Sequence, residues 1–163
     1  MGLRAARAGA KHGAMRIALF EPEIAGNVGA ILRLGACLGA SVHLIEPLGF
    51  VWDDRRVRRA AMDYIDHVSV TRHAGFDAFR ETVAGRLVLL TTKSTQSVYD
   101  FRFAPDDILL FGKESAGVSA SVSATCDAHL RIPMRAPVRS MNLASSAALV
   151  LGEALRQTGS LPA

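Results

Sequence analysis

The side chains best placed for chemistry stand in a loop near the C-terminus. Ser140 and Asn142 come just before a long apolar segment, and a short apolar run ending at Ile132 precedes the loop. The side-chain oxygens of Ser and Asn accept hydrogen bonds from the free N–H groups in the first turn of a helix. We therefore predict a helix over residues 142–158. Its polar start is either an ordinary helix cap or one wall of a ligand site.

Two earlier segments carry further polar groups beside glycines. In a predicted helix from Asn27, Arg33 lies nearly opposite the apolar stripe, and Gly29 lies one turn earlier on the same side. We expect this glycine to leave space beside the guanidinium, although Arg33 taken alone also fits an ordinary exposed arginine. Farther along, Gly112 and Glu114 follow an apolar strand. We expect Glu114 to fix this loop by accepting hydrogen bonds from backbone N–H groups.

The sequence lacks the motifs of several common active sites. Gly112-Lys113 resembles the end of a phosphate-binding P-loop, but position 107, where that motif needs glycine, is Asp. The five histidines are scattered and fit no ligand spacing, so we predict no metal site. Cys37 and Cys126 also fit no metal or redox spacing. Their apolar surroundings predict buried free thiols, which suits a reducing cytoplasm.

The charge of the chain is unevenly distributed. Three of its four net positive charges lie within residues 1–14, which we interpret as a disordered basic extension, with Met15 a possible true start. Residues 15–159 are long enough for a single domain, and a hydrophobic content of 50% is ordinary for one. No apolar run approaches the roughly 18 residues that cross a bilayer. The sequence therefore predicts no membrane partner.

One basic cluster stands out in this nearly neutral domain. Residues 55–59 read Arg-Arg-Val-Arg-Arg, and two aspartates precede them. Arg55, Arg58 and Arg59 on a helix fit a solvated surface with local ion pairs. They fit phosphate contacts equally well, because a guanidinium matches phosphate geometry in a bidentate way.

Strands alternate with helices along the whole domain. We predict strands over residues 16–20, 41–45, 67–71, 86–91, 108–111 and 130–132, and helices over 26–38, 53–62, 76–83, 119–125 and 142–158. This alternation indicates an α/β fold with a mainly parallel sheet and helices on both faces. Such sheets bind ligands beyond the carboxyl ends of their strands.

The three polar segments, in this order, resemble the motifs of the SPOUT superfamily of S-adenosylmethionine-dependent RNA methyltransferases. The matching residues are Arg33 in the first motif, Gly112, Glu114 and Gly117 in the second, and Ser140, Asn142 and Leu143 in the third. The resemblance covers residues 15–159. It implies a deep trefoil knot formed by residues 87–159, which composition and periodicity do not predict.

The resemblance also implies roles for individual residues. Leu90, Gly112, Ile132 and Ser140 are expected to bind S-adenosylmethionine, and Arg33 is the expected catalytic residue. The expected supporting or RNA-contacting residues are Asn27, Glu114, Asn142, Arg55, Arg58 and Arg59. Members of the superfamily are homodimers, so Arg33 is expected to serve either its own subunit or the cofactor of a partner.

A further stretch narrows the resemblance to a small single-domain subgroup. Residues 45–54, with Arg58-Arg59-Ala60 and Asp63-Tyr64, are similar to enzymes that 2′-O-methylate the wobble cytidine or uridine of leucine tRNAs. A 2′-hydroxyl acceptor means RNA and excludes DNA. A cytoplasmic enzyme is implied.

Three positions depart from the pattern of that subgroup. Ala30 stands where the subgroup has Asn, Lys113 where proline is usual, and Gly152 where an aromatic residue is usual. Two alternatives therefore stay open. One is 2′-O-methylation at another position of tRNA or of ribosomal RNA, and the other is a non-catalytic RNA-binding protein that keeps the fold.

Overall fold

The computed structural model describes residues 14–163, so the predicted basic extension lies outside the described residues except for its last position. One sheet of six parallel strands, in the order β3-β2-β1-β5-β4-β6, forms the centre of the domain. The strands are β1 Arg16–Phe20, β2 Ser41–Ile45, β3 Val70–His73, β4 Leu87–Leu90, β5 Ile108–Phe111 and β6 Ala128–Leu130.

This part of the chain contains five α-helices, four of them between strands and the fifth after β6. They are α1 Ala25–Leu38, α2 Asp54–Ala61, α3 Phe76–Thr82, α4 Ala120–Ala124 and α5 Leu143–Thr158, and a 3₁₀ helix covers Tyr64–His67. None of the helices in residues 14–163 is long and apolar enough to cross a membrane.

Apolar side chains of the strands fill a core on each face of the sheet. In β1, Ile17 and Leu19 join one buried cluster with α1, α2 and α5, whereas Ala18 and Phe20 join the other with α3 and α4. Successive residues of a strand point to opposite faces, which explains this division. The predicted α/β architecture with helices on both faces is confirmed.

The ends of the helices follow local chemistry. Helix α1 ends at Gly39, whose φ of 75° is readily adopted only by glycine. Helix α2 begins after Asp53, whose side chain accepts a hydrogen bond from the Arg55 amide. Helix α5 begins after Asn142, whose side chain accepts from the Ser145 amide. These caps agree with the end of α1 and the starts of α2 and α5 predicted from the sequence.

Two strands lie at other residues than predicted. Strand β3 starts at Val70, because residues 64–67 form the 3₁₀ helix instead. Strand β6 covers residues 128–130, since the Asp127 carboxylate accepts from the Leu87 amide at 2.7 Å and fixes the register beside β4. Ile132 therefore lies beyond the end of its strand.

The cysteine prediction was wrong for Cys37. This residue lies on the outer face of α1, away from the stripe that contains Ile31, and its side chain is exposed. Cys126 is half-buried, and burial raises the pKa of its thiol to about 11. Both cysteines are free.

The long loop between β4 and β5 holds the C-terminal part of the chain. The Arg131 amide donates to the Gln96 carbonyl at 2.8 Å, and the Val98 amide donates to the Arg131 carbonyl at 2.9 Å. The Gln157 side chain, near the end of α5, bonds the backbone of Phe101 and Phe103 in the same loop. Such contacts agree with the expected trefoil knot, which stays a prediction.

A pair of histidines lies between the sheet and α3. His43 Nδ1 and His73 Nε2 are 3.0 Å apart, and both rings pack against Phe79. Burial, with a smaller contribution from neighbouring positive charge, lowers the pKa of His43 from 6.5 to about 4. Burial also lowers the pKa of His73.

We expect acid to destabilise the fold through His43. Because its pKa is lower in the folded than in the unfolded state, its contribution is complete above about pH 6.5 and is lost as pH falls toward 4. The free energy of unfolding should fall by up to about 1.4 kcal/mol per pH unit in this window. Urea unfolding at several pH values measures it. His43→Gln should flatten the dependence, whereas His67→Gln, on the exposed 3₁₀ helix, should not. Equal slopes for both variants would contradict this assignment.

Candidate active site

Three neighbouring strands end side by side at the carboxyl edge of the sheet. Leu90 of β4 is in register with Phe111 of β5 and with Leu130 of β6. The Thr91 amide then donates to the Leu130 carbonyl at 2.8 Å. Leu90, Gly112 and Ile132, three of the four predicted cofactor residues, therefore lie at or just after adjacent strand ends.

The loop after β5 is too tight for any residue but glycine at position 112. A Cβ atom there would collide with the backbone of Gly117. Lys113 and Gly117 exchange two backbone hydrogen bonds, of 3.1 and 2.8 Å, and Gly117 has a φ of 69°. Gly112 thus brings backbone, and no side chain, to this edge.

Apolar side chains beside this loop are incompletely covered. Residues 87–89 of β4 are fully buried, but Leu90 at the strand end is only partly buried, as is Ile132. Both pack against the main core with one side. The edge therefore offers apolar walls next to backbone N–H and C=O groups, which suits a neutral heteroaromatic ring with an attached sugar.

Glu114 joins this loop to the start of α1. Its carboxylate accepts hydrogen bonds from the Glu23 amide at 2.8 Å, the Ile24 amide at 3.2 Å and the Asn27 side chain at 3.2 Å. The prediction that Glu114 accepts from backbone N–H groups is confirmed. Those groups belong to the segment before α1, however, and not to the loop of Glu114 itself.

The third segment closes the same network. Asn142 Nδ2 donates to Asn27 Oδ1 at 3.0 Å, while Asn142 Oδ1 accepts from the Ser145 amide at 3.1 Å. Asn27 is buried, with 8% of its surface exposed, and it bonds both Glu114 and Asn142. One polar side chain from each of the three segments therefore meets in a single chain of hydrogen bonds.

A second set of contacts, which was not predicted from the sequence, joins the same two segments with acceptor and donor exchanged. The Glu23 carboxylate accepts from the Ser115 hydroxyl at 2.6 Å and from the Ser115 amide at 2.9 Å. The Ser115 hydroxyl lowers the pKa of Glu23. Lys113, which departs from the subgroup pattern, pairs with Glu21 at 3.1 Å. Glu21 and Glu23, ahead of α1, are the sequence feature that could have predicted these contacts. Acidic residues at a helix start are common for other reasons, however.

Ser140 lies apart from this network. It stands in the exposed loop between β6 and α5, and Asn142, not Ser140, caps the helix. The structure brings Leu90, Gly112 and Ile132 to one edge, and it leaves the predicted cofactor role of Ser140 as a prediction.

Arg33 is exposed on α1 and lies against the turn after α2. Its Nη1 contacts Met62 Sδ at 2.7 Å, and its guanidinium lies over the Tyr64 ring at 5.3 Å from the centroid. Met62 and Asp63 have φ values of 50° and 64°, a strained conformation for residues other than glycine. Strain of this kind is common at functional sites.

The prediction that Gly29 leaves space beside Arg33 was wrong. A Cβ atom at Gly29 would collide with the side chain of Ala60 on α2. The glycine instead allows α1 and α2 to pack closely. Arg33 lies six positions after Asn27, which is about 9 Å along a helix axis. Arg33 therefore lies away from the strand-end loops, toward the amino edge of the sheet.

The basic cluster contains one local ion pair, as one of its two interpretations predicts, and its phosphate contacts stay a prediction. Arg58 pairs with Asp66 at 3.3 Å on the protein surface. Arg55 and Arg59 are exposed, and the ion pairs found within residues 14–163 include neither. These two guanidinium groups point to solvent on the helix that packs against α1. No cluster of His, Cys, Asp and Glu in the same range could hold a metal ion.

Known proteins are similar in sequence to this chain over most of its length. A model of the SpoU rRNA methylase family matches residues 14–152. A tRNA (cytidine(34)-2′-O)-methyltransferase of Beijerinckia indica is 55% identical over 148 residues, which cover 89% of this chain and 92% of that relative. The Escherichia coli protein of the same name is 44% identical over 148 residues, covering 89% and 94%.

Solved structures share the fold as well. One that concerns the 2-OH methylation of C/U34 on tRNA has a TM-score of 0.84 and 39% identity, covering 89% of this chain and 96% of that chain. The SpoU methyltransferase AviRb of Streptomyces viridochromogenes, in complex with AdoMet, has a TM-score of 0.82 and 26% identity. The match covers 93% of this chain and 63% of AviRb.

We expect the carboxylate of Glu114 to stabilise the whole domain. Glu114→Gln keeps the size of the side chain but weakens three hydrogen bonds to a charged acceptor, so the free energy of unfolding should fall by about 1–3 kcal/mol. Urea unfolding measures the change. Glu81→Gln, at an exposed position of α3, is the matched control and should shift the midpoint little. A Glu114→Gln protein as stable as this control would show that the network is dispensable for folding.

Proposed function

The chain belongs to the SpoU rRNA methylase family, and from this we propose that it methylates the 2′-oxygen of the ribose at position 34 of tRNA, with S-adenosylmethionine as the methyl donor. The observation that carries the proposal is the meeting of three motif segments at one sheet edge through Asn27, Glu114 and Asn142. Relatives that bear this activity in their names, at 55% and 44% identity, support the choice of substrate.

The residues at this edge fit S-adenosylmethionine. Leu90 and Ile132 supply partly open apolar walls for the adenine, and the backbone around Gly112 approaches without a side chain. We assign these three residues to cofactor binding. Ser140, in the exposed loop before α5, is proposed as the fourth, because its segment carries the resemblance to the third motif.

The reaction is a methyl transfer between two bound molecules. When bound, S-adenosylmethionine supplies an electrophilic methyl group, so that a bond from the ribose 2′-oxygen to carbon forms as the carbon–sulfur bond breaks and S-adenosylhomocysteine leaves. The protein contributes mainly proximity and alignment. The network of Glu114, Asn27 and Asn142 holds the three loops in fixed positions, and this rigidity maintains the alignment.

Arg33 is the proposed catalytic residue. A guanidinium with a pKa above about 12 is a poor proton acceptor. We therefore assign Arg33 to the phosphate beside the target ribose, where it orients the 2′-hydroxyl, and the proton leaves to an RNA phosphate or to water. Its contacts with Met62 and Tyr64 limit the positions that the guanidinium can take.

We propose a homodimer in which Arg33 of one subunit acts at the cofactor of the other. Its position about 9 Å beyond Asn27 along α1 supports this arrangement. So does an uncovered face of α5, where Leu149 is 43% exposed and a Cβ atom at Gly152 would meet nothing within 4 Å. An exposed leucine beside small residues permits close helix packing between subunits.

The RNA surface is proposed to include Arg55 and Arg59. Both are exposed on α2, and α2 packs against the helix that carries Arg33. We assign phosphates of the bound strand to these arginines and to Arg33, which contacts Met62 just after α2. Arg58, which pairs with Asp66, is available to RNA only after exchange of that ion pair.

Leucine tRNAs are the proposed substrates, with cytidine or uridine at position 34. Residues 45–54 carry the resemblance that supports this assignment. Methylation elsewhere on tRNA or on ribosomal RNA is the second candidate, because Ala30 departs from the subgroup pattern and the matching family is described by its rRNA activity. We place the enzyme in the cytoplasm, in keeping with its two free cysteines.

The substrate assignment predicts a single modified nucleotide. Purified protein, labelled S-adenosylmethionine and total tRNA from cells that lack the wobble methylation should give label in leucine tRNAs, which mass spectrometry maps to the 2′-oxygen of nucleotide 34. Label at another position would retain the reaction and reject the substrate. Cofactor binding without label on any RNA would favour the non-catalytic alternative.

Arg33→Ala should abolish most of the activity and leave the cofactor in place. We expect the rate of methyl transfer to fall by about 100-fold or more, the usual effect of removing a positioned catalytic group. Calorimetric affinity for S-adenosylmethionine should change less than about twofold. Arg102→Ala, at the opposite edge of the sheet, is the control. Full turnover in Arg33→Ala would refute the role.

A further inference from the structure

A hollow lies at the carboxyl edge of the sheet, beside the proposed cofactor residues. It has a volume of about 350 Å³ and opens to solvent after β2 and β3. Its walls are formed by Glu46, Pro47, Leu48, Phe50, Trp52, Arg72 and Ala74. None of these residues takes part in the network of Glu114 or in the reaction proposed above.

Trp52 and Arg72 form a stacked pair in this hollow. The guanidinium of Arg72 lies 5.0 Å from the centroid of the Trp52 ring. The indole N–H of Trp52 donates to Asp54 at 2.8 Å, and the ring packs against the main core, so both its ends are held. Arg72 is held by an ion pair with Glu46. Its side chain is nevertheless 45% exposed.

Glu46 places a hydrogen-bond acceptor next to this stack. Both hydrogen bonds from Arg72 end on Oε1 of Glu46. Within residues 14–163 this carboxylate makes no other hydrogen bond to a side chain. Oε2 is thus available to a donor from outside. A carboxylate here disfavours a phosphate, whereas it favours a flat neutral ring that carries an amino group.

Hydrogen bonds connect the hollow to the proposed active site. The Gly49 amide, in the loop that forms one wall, donates to the Pro22 carbonyl at 2.9 Å. Pro22 precedes Glu23, which bonds Ser115 of the loop after β5. Strand β2 lies two positions from β5 in the sheet, which is about 10 Å at the usual strand spacing.

We propose that this hollow binds a nucleobase of the RNA substrate, near the target nucleotide and not the target itself. The base stacks on the exposed face of Arg72, which the Trp52 ring supports from behind, and its exocyclic amino group donates to Glu46 Oε2. Single-stranded RNA is read in this way, by stacking on aromatic and guanidinium planes and by hydrogen bonds to base edges. The assignment rests on the proposed function, since it takes RNA as the ligand.

The protein contains its own probe for this site. Trp52 is the single tryptophan of the chain, so its fluorescence reports on the hollow alone. Titration with unmodified oligocytidine should change the emission and saturate. Oligouridine, which lacks the amino group, should bind about five- to tenfold more weakly. A titration with no change in emission, despite RNA binding detected by gel shift, would overturn the proposal.

Matched substitutions separate stacking from charge. Arg72→Gln should weaken binding of oligocytidine about five- to tenfold, the range expected for one stacked base. Arg102→Gln removes the same charge at the amino edge of the sheet and should have no such effect. Glu46→Gln should abolish the preference for oligocytidine over oligouridine. Equal effects of Arg72→Gln and Arg102→Gln, in variants with unaltered urea unfolding, would overturn the proposal.

Methyl transfer to tRNA tests the proposed function separately. Loss of the fluorescence change with wild-type methylation intact rejects the base site and keeps the enzyme assignment. A saturable change in Trp52 emission that favours oligocytidine over oligouridine, without methylation of any tRNA, keeps the base site and rejects the enzyme assignment.

Discussion

The buried contact of Asn27 with Glu114 and Asn142 is the constraint on which the rest of the site depends. Each partner comes from a segment that follows a different strand, and an amide side chain between an acceptor and a donor satisfies both. A buried polar group costs free energy unless it is paired. Loss of any member therefore leaves a polar group of its neighbour without that partner, which ties the positions of three loops to one another.

The parallel sheet explains why loops so distant in sequence can share one edge. All six strands run in the same direction, so every connection after a strand emerges on the same side. The proposed cofactor residues lie at or after the strand ends on one half of this edge, whereas the Trp52 hollow follows β2 and β3 on the other half. Between them lies the β1 loop, whose Glu23 bonds Ser115. A ligand that reaches both halves must cross this loop.

Local sequence rules predicted the fold better than the site. The strands around Ile17 and Leu109, and the ends of α1 and α5, follow from apolar runs, glycine and capping side chains that act within a few residues. The strand predicted to end at Ile132 was displaced by two residues, because its register is set by the Asp127 bond to Leu87, forty positions away. Gly29 was misinterpreted for the same reason, since its neighbour Ala60 comes from another helix. The spacing of residues in the sequence does not indicate contacts with partners that are distant in the chain.

The bond between Asn27 and Asn142 also has a consequence for synthesis of the protein. Its two side chains are 115 positions apart in the chain. Contacts of such long range form late, because the intervening segment must first be ordered. During translation, α1 and β1 leave the ribosome long before residue 142 does. A growing chain therefore exposes the unpaired amide of Asn27 and the open face of α1 until its final helix arrives, and this is the interval in which a chaperone has most to protect.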